Sequence, residues 1–196
     1  MSDLTSDARA TALRELASLD GIRVKLVPLG PEHFEPLWTG LQDAESARLT
    51  GTTAQFDRET VLAHLERVRT ASDRADWAIL HADSGEYIGE VVLNELDDDH
   101  AAMNFRIALL ADHLGQGLGT EATGLVLDHA FTALGLHRVS LEVYAFNPRA
   151  QRSYEKAGFI VEGRLRDVLR WDDEWVDAIV MSVLSTDPRP GVAGQR

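Results

Sequence analysis

Cysteine is absent from the chain. That absence excludes a disulfide framework, a cysteine nucleophile and a thiolate-held metal, and it suits a reducing, cytoplasmic setting. Basic residues are scarce. Lysine and arginine number 19 against 32 aspartates and glutamates, for a formal net charge of -13. So acidic a chain disfavours nucleic acid and anionic membranes as partners, and it accommodates a cationic substrate, such as an amine, more readily. Long apolar runs are missing too, so no segment reads as a bilayer span. The opening stretch Met1-Ser2-Asp3-Leu4-Thr5-Ser6-Asp7 is polar and acidic and is not expected to act as a secretory leader. His100, His113, His129 and His137 lack a metal-binding spacing and no H-E-x-x-H occurs, so no metal is expected.

What is present suits one soluble domain with a full core: 196 residues, 44% hydrophobic and 26% charged. Residues 1–20 read as an N-terminal arm or helix, with Leu13, Leu16 and Ala17 on one face. Residues 22–27 alternate as a strand, and Pro31 starts a helix with Phe34, Leu37 and Trp38 turned inward. Residues 49–56, rich in threonine, read as a loop. Asp57 then caps a helix carrying Val61, Leu62, Leu65 and Val68. Residues 75–81, 87–93 and 101–110 read as three strands of an antiparallel meander. A long helix over 116–134 and a strand over 137–144 follow. Asn147-Pro148 opens another helix, which Gly158 ends. Strands over 159–170 and 175–184 close the domain, which spans 21–185. The tail, 186–196, carries Asp187-Pro188-Arg189-Pro190-Gly191 and is expected to be disordered. The order is mixed α/β.

The passage that asks for a ligand is Leu114-Gly115-Gln116-Gly117-Leu118-Gly119-Thr120, between a strand pattern and a helix pattern. Glycines at alternate positions pack nothing. They suit a sharp turn that leaves backbone N–H groups open at a helix N-terminus, where an anion can sit. The passage lacks the lysine and hydroxyl of a nucleotide P-loop. Its glycines are too closely spaced for a dinucleotide fingerprint, and they follow a meander instead of opening a βαβ unit. A nucleotide-dependent oxidoreductase is therefore a poor reading.

Gly115-Gln116-Gly117-Leu118-Gly119-Thr120-Glu121-Ala122 resembles the acyl-coenzyme A loop of GCN5-related N-acetyltransferases. Leu136-His137-Arg138-Val139, Asn147-Pro148-Arg149-Ala150 and Tyr154-Glu155-Lys156-Ala157-Gly158-Phe159 continue the likeness through the C-terminal half, followed by Glu162-Gly163, Arg166 and Asp177. Within that superfamily the text is similar to the branch of ribosomal-protein N-terminal alanine and serine acetyltransferases. One position departs: the arginine or glutamine that the family places three residues before its G-x-G pair is Leu114 here.

The resemblance implies an α+β fold whose central, mostly antiparallel sheet has a splayed strand pair and is flanked by helices. It implies a single acyl-CoA N-acyltransferase domain that takes acetyl-CoA as cosubstrate and needs no metal. Leu114, Gly115, Gln116, Gly117, Leu118, Gly119 and Thr120 would hold the pyrophosphate by backbone N–H groups. Ile107, Ala108, Leu109 and Leu110 would present a strand edge to the pantetheine arm, with an N–H near Leu109 polarising the thioester carbonyl. Asn147 reads as an N-cap from local sequence and as a contact to cofactor or amine from the resemblance; Arg149 belongs to the same cofactor-side text. Tyr154 reads as a packed aromatic or as the donor of a proton to the departing thiolate. Glu90 and Glu142 compete for the role of base, with Glu90 preferred and an exposed solvent face as the plain reading of both. Asn94 and Asn104 are polar candidates for the same wall. The expected activity is acetyl transfer to a primary amine by direct attack in a ternary complex, with a protein or peptide N-terminus as preferred acceptor. A polyamine, amino acid or aminoglycoside is the alternative acceptor, and a non-catalytic acyl-CoA-binding module the alternative of another class. A homodimer is implied by the resemblance alone; Trp171 and Trp175 could serve it, a hairpin or a substrate wall.

Overall fold

The structure is a computed structural model that describes residues 4–188. The tail expected to be disordered falls on residues 186–196, of which 189–196 lie outside the described residues; Asp187 closes a turn by accepting the N–H of Leu184 (2.9 Å).

Helix α1 (Ser6–Arg14) leads to a short strand β1 (Leu19–Asp20) and to β2 (Val24–Pro28). A 3₁₀ turn (Pro31–His33) feeds α2 (Phe34–Leu41), followed by α3 (Ala44–Thr50) and α4 (Arg58–Val68). The meander is β3 (Ala75–His81), β4 (Tyr87–Asp97) and β5 (Ala102–Leu109). Then come α5 (Leu118–Thr132), β6 (Arg138–Tyr144), α6 (Pro148–Ala157), β7 (Ile160–Trp171) and β8 (Glu174–Leu184). The eight strands form one sheet in the order β1-β2-β3-β4-β5-β6-β8-β7. Every neighbouring pair is antiparallel except β5–β6, which α5 joins as a crossover. The mixed α+β class and the flanking helices are as the sequence implies.

Alternation sorts the core into two faces. Val24 and Leu26 of β2, Trp77 and Ile79 of β3, and Val91 and Leu93 of β4 pack with α1, α5 and α6. Ala78 and Tyr87 pack on the other face with Leu37 of α2 and Val61, Leu65 and Val68 of α4. Trp77 is wholly buried. Its indole N–H donates to Ala17 O (2.9 Å), which ties down the segment after α1. Arg9 is buried as well; it donates to Leu134 O and pairs with Asp98, so α1 is docked by a charged anchor in addition to Leu13.

Several boundaries differ from expectation. The N-terminal helix stops at Arg14, and Leu19–Asp20 pairs with β2. The polar stretch before Asp57 is preceded by a helix, α3, that the sequence reading missed. Its Asp43 cap accepts Ser46 N–H (2.7 Å), but the helix has only 7 residues, buries none, and so shows no apolar period. Asp57 caps α4 through Thr60 N–H (2.7 Å), and Asn147 caps α6 through Ala150 N–H (3.1 Å), both as read. Trp171 is half-buried and Trp175 exposed on β7–β8, where Ile160, Val161 and Leu165 are also exposed.

Gly89 of β4 pairs with Leu109 of β5. A Cβ there would collide with the Ala108 carbonyl oxygen and lie 2.9 Å from Leu109 Cα. Backbone cannot yield as a side chain can. Gly89→Ala is expected to destabilise the fold by about 2–3 kcal/mol, read as a lowered urea midpoint at constant slope.

Candidate active site

The ladder between β5 and β6 holds only at Ala102–Arg138, Met103–Val139 and Asn104–Ser140. Beyond those pairs the strands part. The β6-facing edge of β5 from Phe105 to Leu109 is therefore left without a strand partner, and its backbone groups need another. The splay opens a cleft of about 800 Å³.

At one end of the cleft lies the glycine-rich passage. A 3₁₀ turn (Ala111–His113) leads into Gly115 and Gly117, with φ of 75° and 80°, angles that glycine adopts without strain. The first helical bond of α5 runs from Glu121 N–H to Gly117 O (3.1 Å). The amides of Leu118, Gly119 and Thr120 thus fall outside the helical ladder at the positive end of the helix dipole. Thr120 and Ser153 share a hydroxyl hydrogen bond (2.7 Å) that brings α6 alongside. Arg149, Arg152 and Lys156 of α6 line the same cleft. Open amides and three cations make this end electropositive in a chain that is otherwise strongly acidic.

Nearer the paired part of the ladder two carboxylates line the cleft, with Arg106 also in its lining. Glu95 and Glu142 line the cleft, as does Asn104, whose amide donates to Asn94 Oδ1 (3.1 Å). These three also border a smaller cavity of about 270 Å³ beside the paired part of the ladder. Glu95 has φ of 55°, at an irregularity where the β4–β5 register shifts. A positive φ at a non-glycine residue costs energy and is concentrated at functional sites. The segment from Thr50 to Ala54 after α3 lines the cleft as well. Gly51 there lies against the Tyr144 ring, with no room for a Cβ.

Ile107, Ala108, Leu109, Leu114, Gly115, Gly117, Gly119, Thr120, Asn147, Arg149 and Tyr154 all line the cleft, so the structure brings most of the sequence-selected residues together. Five do not line it, one being Asn94, which reaches the wall only through its hydrogen bond with Asn104. Leu110 packs with the α2–α4 cluster, its N–H bonded to Ile88 O (2.9 Å). The Leu118 side chain is buried in the core, which leaves only its amide to a ligand. Gln116 is turned outward, its side chain donating to Asp112 O (2.9 Å). Glu90 pairs across β4–β5 with Ala108, a cleft residue, but is itself set back from the wall. Sequence reading missed Glu95, Arg106, Arg152, Lys156 and the α3 segment. Arg152 and Lys156 lie two residues to either side of Tyr154 on α6, a spacing that turns them to another helix face, so periodicity did not announce them.

Tyr154 is buried against Phe105 and Phe159, with ring centroids 6.1 Å and 5.9 Å away. Burial pushes its phenol up to about 12, against a weaker opposing pull from Arg106, so the hydroxyl is protonated at neutral pH and can donate. Tyr154 is thus packed among aromatic rings and also lines the cleft. Asn147 caps α6 with its side-chain oxygen, and its amide nitrogen is the group left to face a ligand. Glu90 is half-buried. Desolvation, then the nearby Asp76, push its carboxyl up to about 7, while Arg106 and Arg74 pull the other way. Arg74 and Asp76 form a two-pronged ion pair (2.6 Å each). Among the described residues no three histidines, aspartates or glutamates converge as a metal set, and no helix is long and apolar enough to cross a membrane.

Residues 23–160 match the Acetyltransferase (GNAT) domain family. The chain belongs to that family. Spermidine N(1)-acetyltransferase of Vibrio cholerae is 33% identical over 99 residues, 50% of this chain and 57% of that protein. The Escherichia coli spermidine N(1)-acetyltransferase is 35% identical over 99 residues, 50% of this chain and 53% of its own. The chain thus spans about half the length of these two relatives. Among solved structures, the Vibrio cholerae spermidine N-acetyltransferase in complex with CoA and spermine superposes with a TM-score of 0.79 at 22% identity, over 84% of this chain and 97% of that one; this is a likeness of fold.

A carboxyl whose pKa is raised on folding binds more protons in the native than in the unfolded state between the two values. Glu90 is therefore expected to make stability fall as pH rises from about 4.5 to about 7. Glu90→Gln should flatten that part of the stability–pH curve, measured by denaturant unfolding across the window; an unchanged slope would place the titration elsewhere.

Proposed function

We propose that the protein is an acetyl-CoA-dependent N-acetyltransferase whose acceptor is a small cationic amine of the polyamine class. The observation that carries the reading is the polarity of one continuous cleft: open amides and arginines at the α5 end, Glu95 and Glu142 at the other, and an unpartnered β5 edge between them. The named relatives at 33% and 35% identity act on spermidine, which supports a small amine over the protein N-terminus that the sequence had suggested. The ribosomal branch is therefore set aside in favour of the alternative acceptor.

The cleft residues fit coenzyme A on their own chemistry. The amides of Leu118, Gly119 and Thr120 face a pyrophosphate, and Arg149, Arg152 and Lys156 supply charge for the phosphates. Leu114, where the family carries a polar side chain, removes no backbone donor. The bound acetyl-CoA supplies an activated thioester. A β5 N–H near Leu109 polarises the acyl carbonyl, and the Asn147 amide steadies the donor arm. Glu95 and Glu142 attract the ammonium groups of the acceptor. The attacking nitrogen must lose its proton; Glu90, through water, or Glu142, directly, takes it. The Tyr154 hydroxyl gives a proton to the departing sulfur.

A thiol-release assay with acetyl-CoA should give the highest kcat/KM with polyamines among polyamines, amino acids, aminoglycosides and short peptides. A response confined to peptides would overturn the acceptor class, and none at all, with CoA still bound, would favour the non-catalytic module. Tyr154→Phe is expected to lower kcat about a hundredfold while CoA affinity changes far less; equal losses in both would assign Tyr154 to packing. With Glu90 as base, the rate should rise with pH through about 7, and Glu90→Gln should remove that limb. Glu142→Gln should raise the acceptor KM about tenfold.

A further inference from the structure

The turn that joins β1 to β2 takes no part in the chemistry above, yet it reaches the phosphate end of the cleft. Glu121 lies in the first turn of α5. Its Oε1 accepts the backbone N–H groups of Ile22 (2.7 Å) and Arg23 (2.8 Å), and its Oε2 accepts Arg23 Nε (3.1 Å). Arg23 Nη1 donates in turn to the carbonyl of Gln116 (2.8 Å). Its other terminal nitrogen lies against Gly117, 3.2 Å from where a Cβ would stand. Burial by itself would raise the Glu121 carboxyl, but the donated N–H groups of Arg23 and Ile22 and the guanidinium outweigh it and hold it below the usual range.

Two consequences follow from elementary chemistry. An ionised carboxylate in the first turn of α5 sets a full negative charge beside amides that must receive a phosphate, and the Arg23 cation offsets it. The second concerns one peptide plane. In a trans peptide the C=O of Gln116 and the N–H of Gly117 point to opposite edges. Arg23 holds the carbonyl on its own side, so the Gly117 N–H is turned to the other. Gly117 lines the cleft and Gln116 does not.

We propose that Arg23, paired with Glu121, is a positioning residue for the phosphate-binding loop: it fixes the Gln116–Gly117 peptide and neutralises Glu121, so that its effect falls on the pyrophosphate of the acyl donor. The inference rests on the coenzyme A reading given above.

The test is calorimetric titration of the full chain with CoA, beside the KM for S-acetylpantetheine, a donor without the pyrophosphate. Arg23→Ala should weaken CoA about tenfold, and Arg23→Lys should fall between, because an ammonium cannot span both acceptors. The double variant Arg23→Ala/Glu121→Gln should recover about threefold of that loss, because the unpaired carboxylate is gone. The loss should appear with CoA and be absent with S-acetylpantetheine. Equal loss on both donors would make Arg23 a merely structural residue. Undiminished CoA binding in Arg23→Ala, or a double variant weaker than the single, would also overturn the proposal. Circular dichroism establishes that each variant is folded, and Arg23→Lys carries the test if Arg23→Ala is not. If the unaltered protein gives no heat with CoA, the coenzyme A reading itself fails and this inference with it; heat with the unaltered protein and no change in the variants sinks this inference alone.

Discussion

The parallel ladder between β5 and β6 stops after Asn104–Ser140, and the cleft depends on that stop. A parallel pair cannot be closed by a hairpin, so the chain must pass through α5 to place β6. The crossover begins at the carboxyl end of β5 and starts a helix there. Helix dipole, open amides and strand edge are thus delivered to one place by a single topological requirement. Had the ladder run on to Leu109, the amide edge would be satisfied by β6 and there would be no cleft between them.

Charge is then distributed along that opening. The chain carries a formal net charge of -13, yet Arg149, Arg152 and Lys156 gather on one side of the cleft. They lie where α6 is drawn to the N-terminus of α5 by the Thr120–Ser153 bond. The carboxylates of Glu95 and Glu142 border the opposite end. On the proposed reading, a molecule with phosphates at one end and a partner with ammonium groups would each be steered to its own side by such local fields. The overall charge would not distinguish the two sides.

The glycine passage, the Asn147 cap and the strand alternation were legible because each is a local rule: a turn, a capping side chain, a period of two. Asp57 and Asn147 cap the helices they were expected to cap. What was not legible was made by register. Glu95 enters the cleft because β4 and β5 slip between Asn94 and Asp97, and no residue type announces that slip. Glu90 was placed on the acceptor wall by strand position, but its pairing with Ala108 sets it one step behind the cleft, among Asp76, Arg74 and Arg106. Helix α3 escaped because it is short and buries nothing, so periodicity had nothing to detect.

The three-rung ladder also joins strands that lie far apart in the sequence. Strands β3 to β5 pair with near neighbours in sequence, whereas Ala102 must find Arg138 across the whole of α5. Contacts of long sequence separation carry the larger loop-closure entropy and slow folding. The cleft, which lies across that same seam, comes into being only when the N-terminal meander and the C-terminal strands have joined. Any ligand held there binds a surface the unfolded or half-assembled chain does not possess, and so its binding free energy favours closure of the seam over every open alternative.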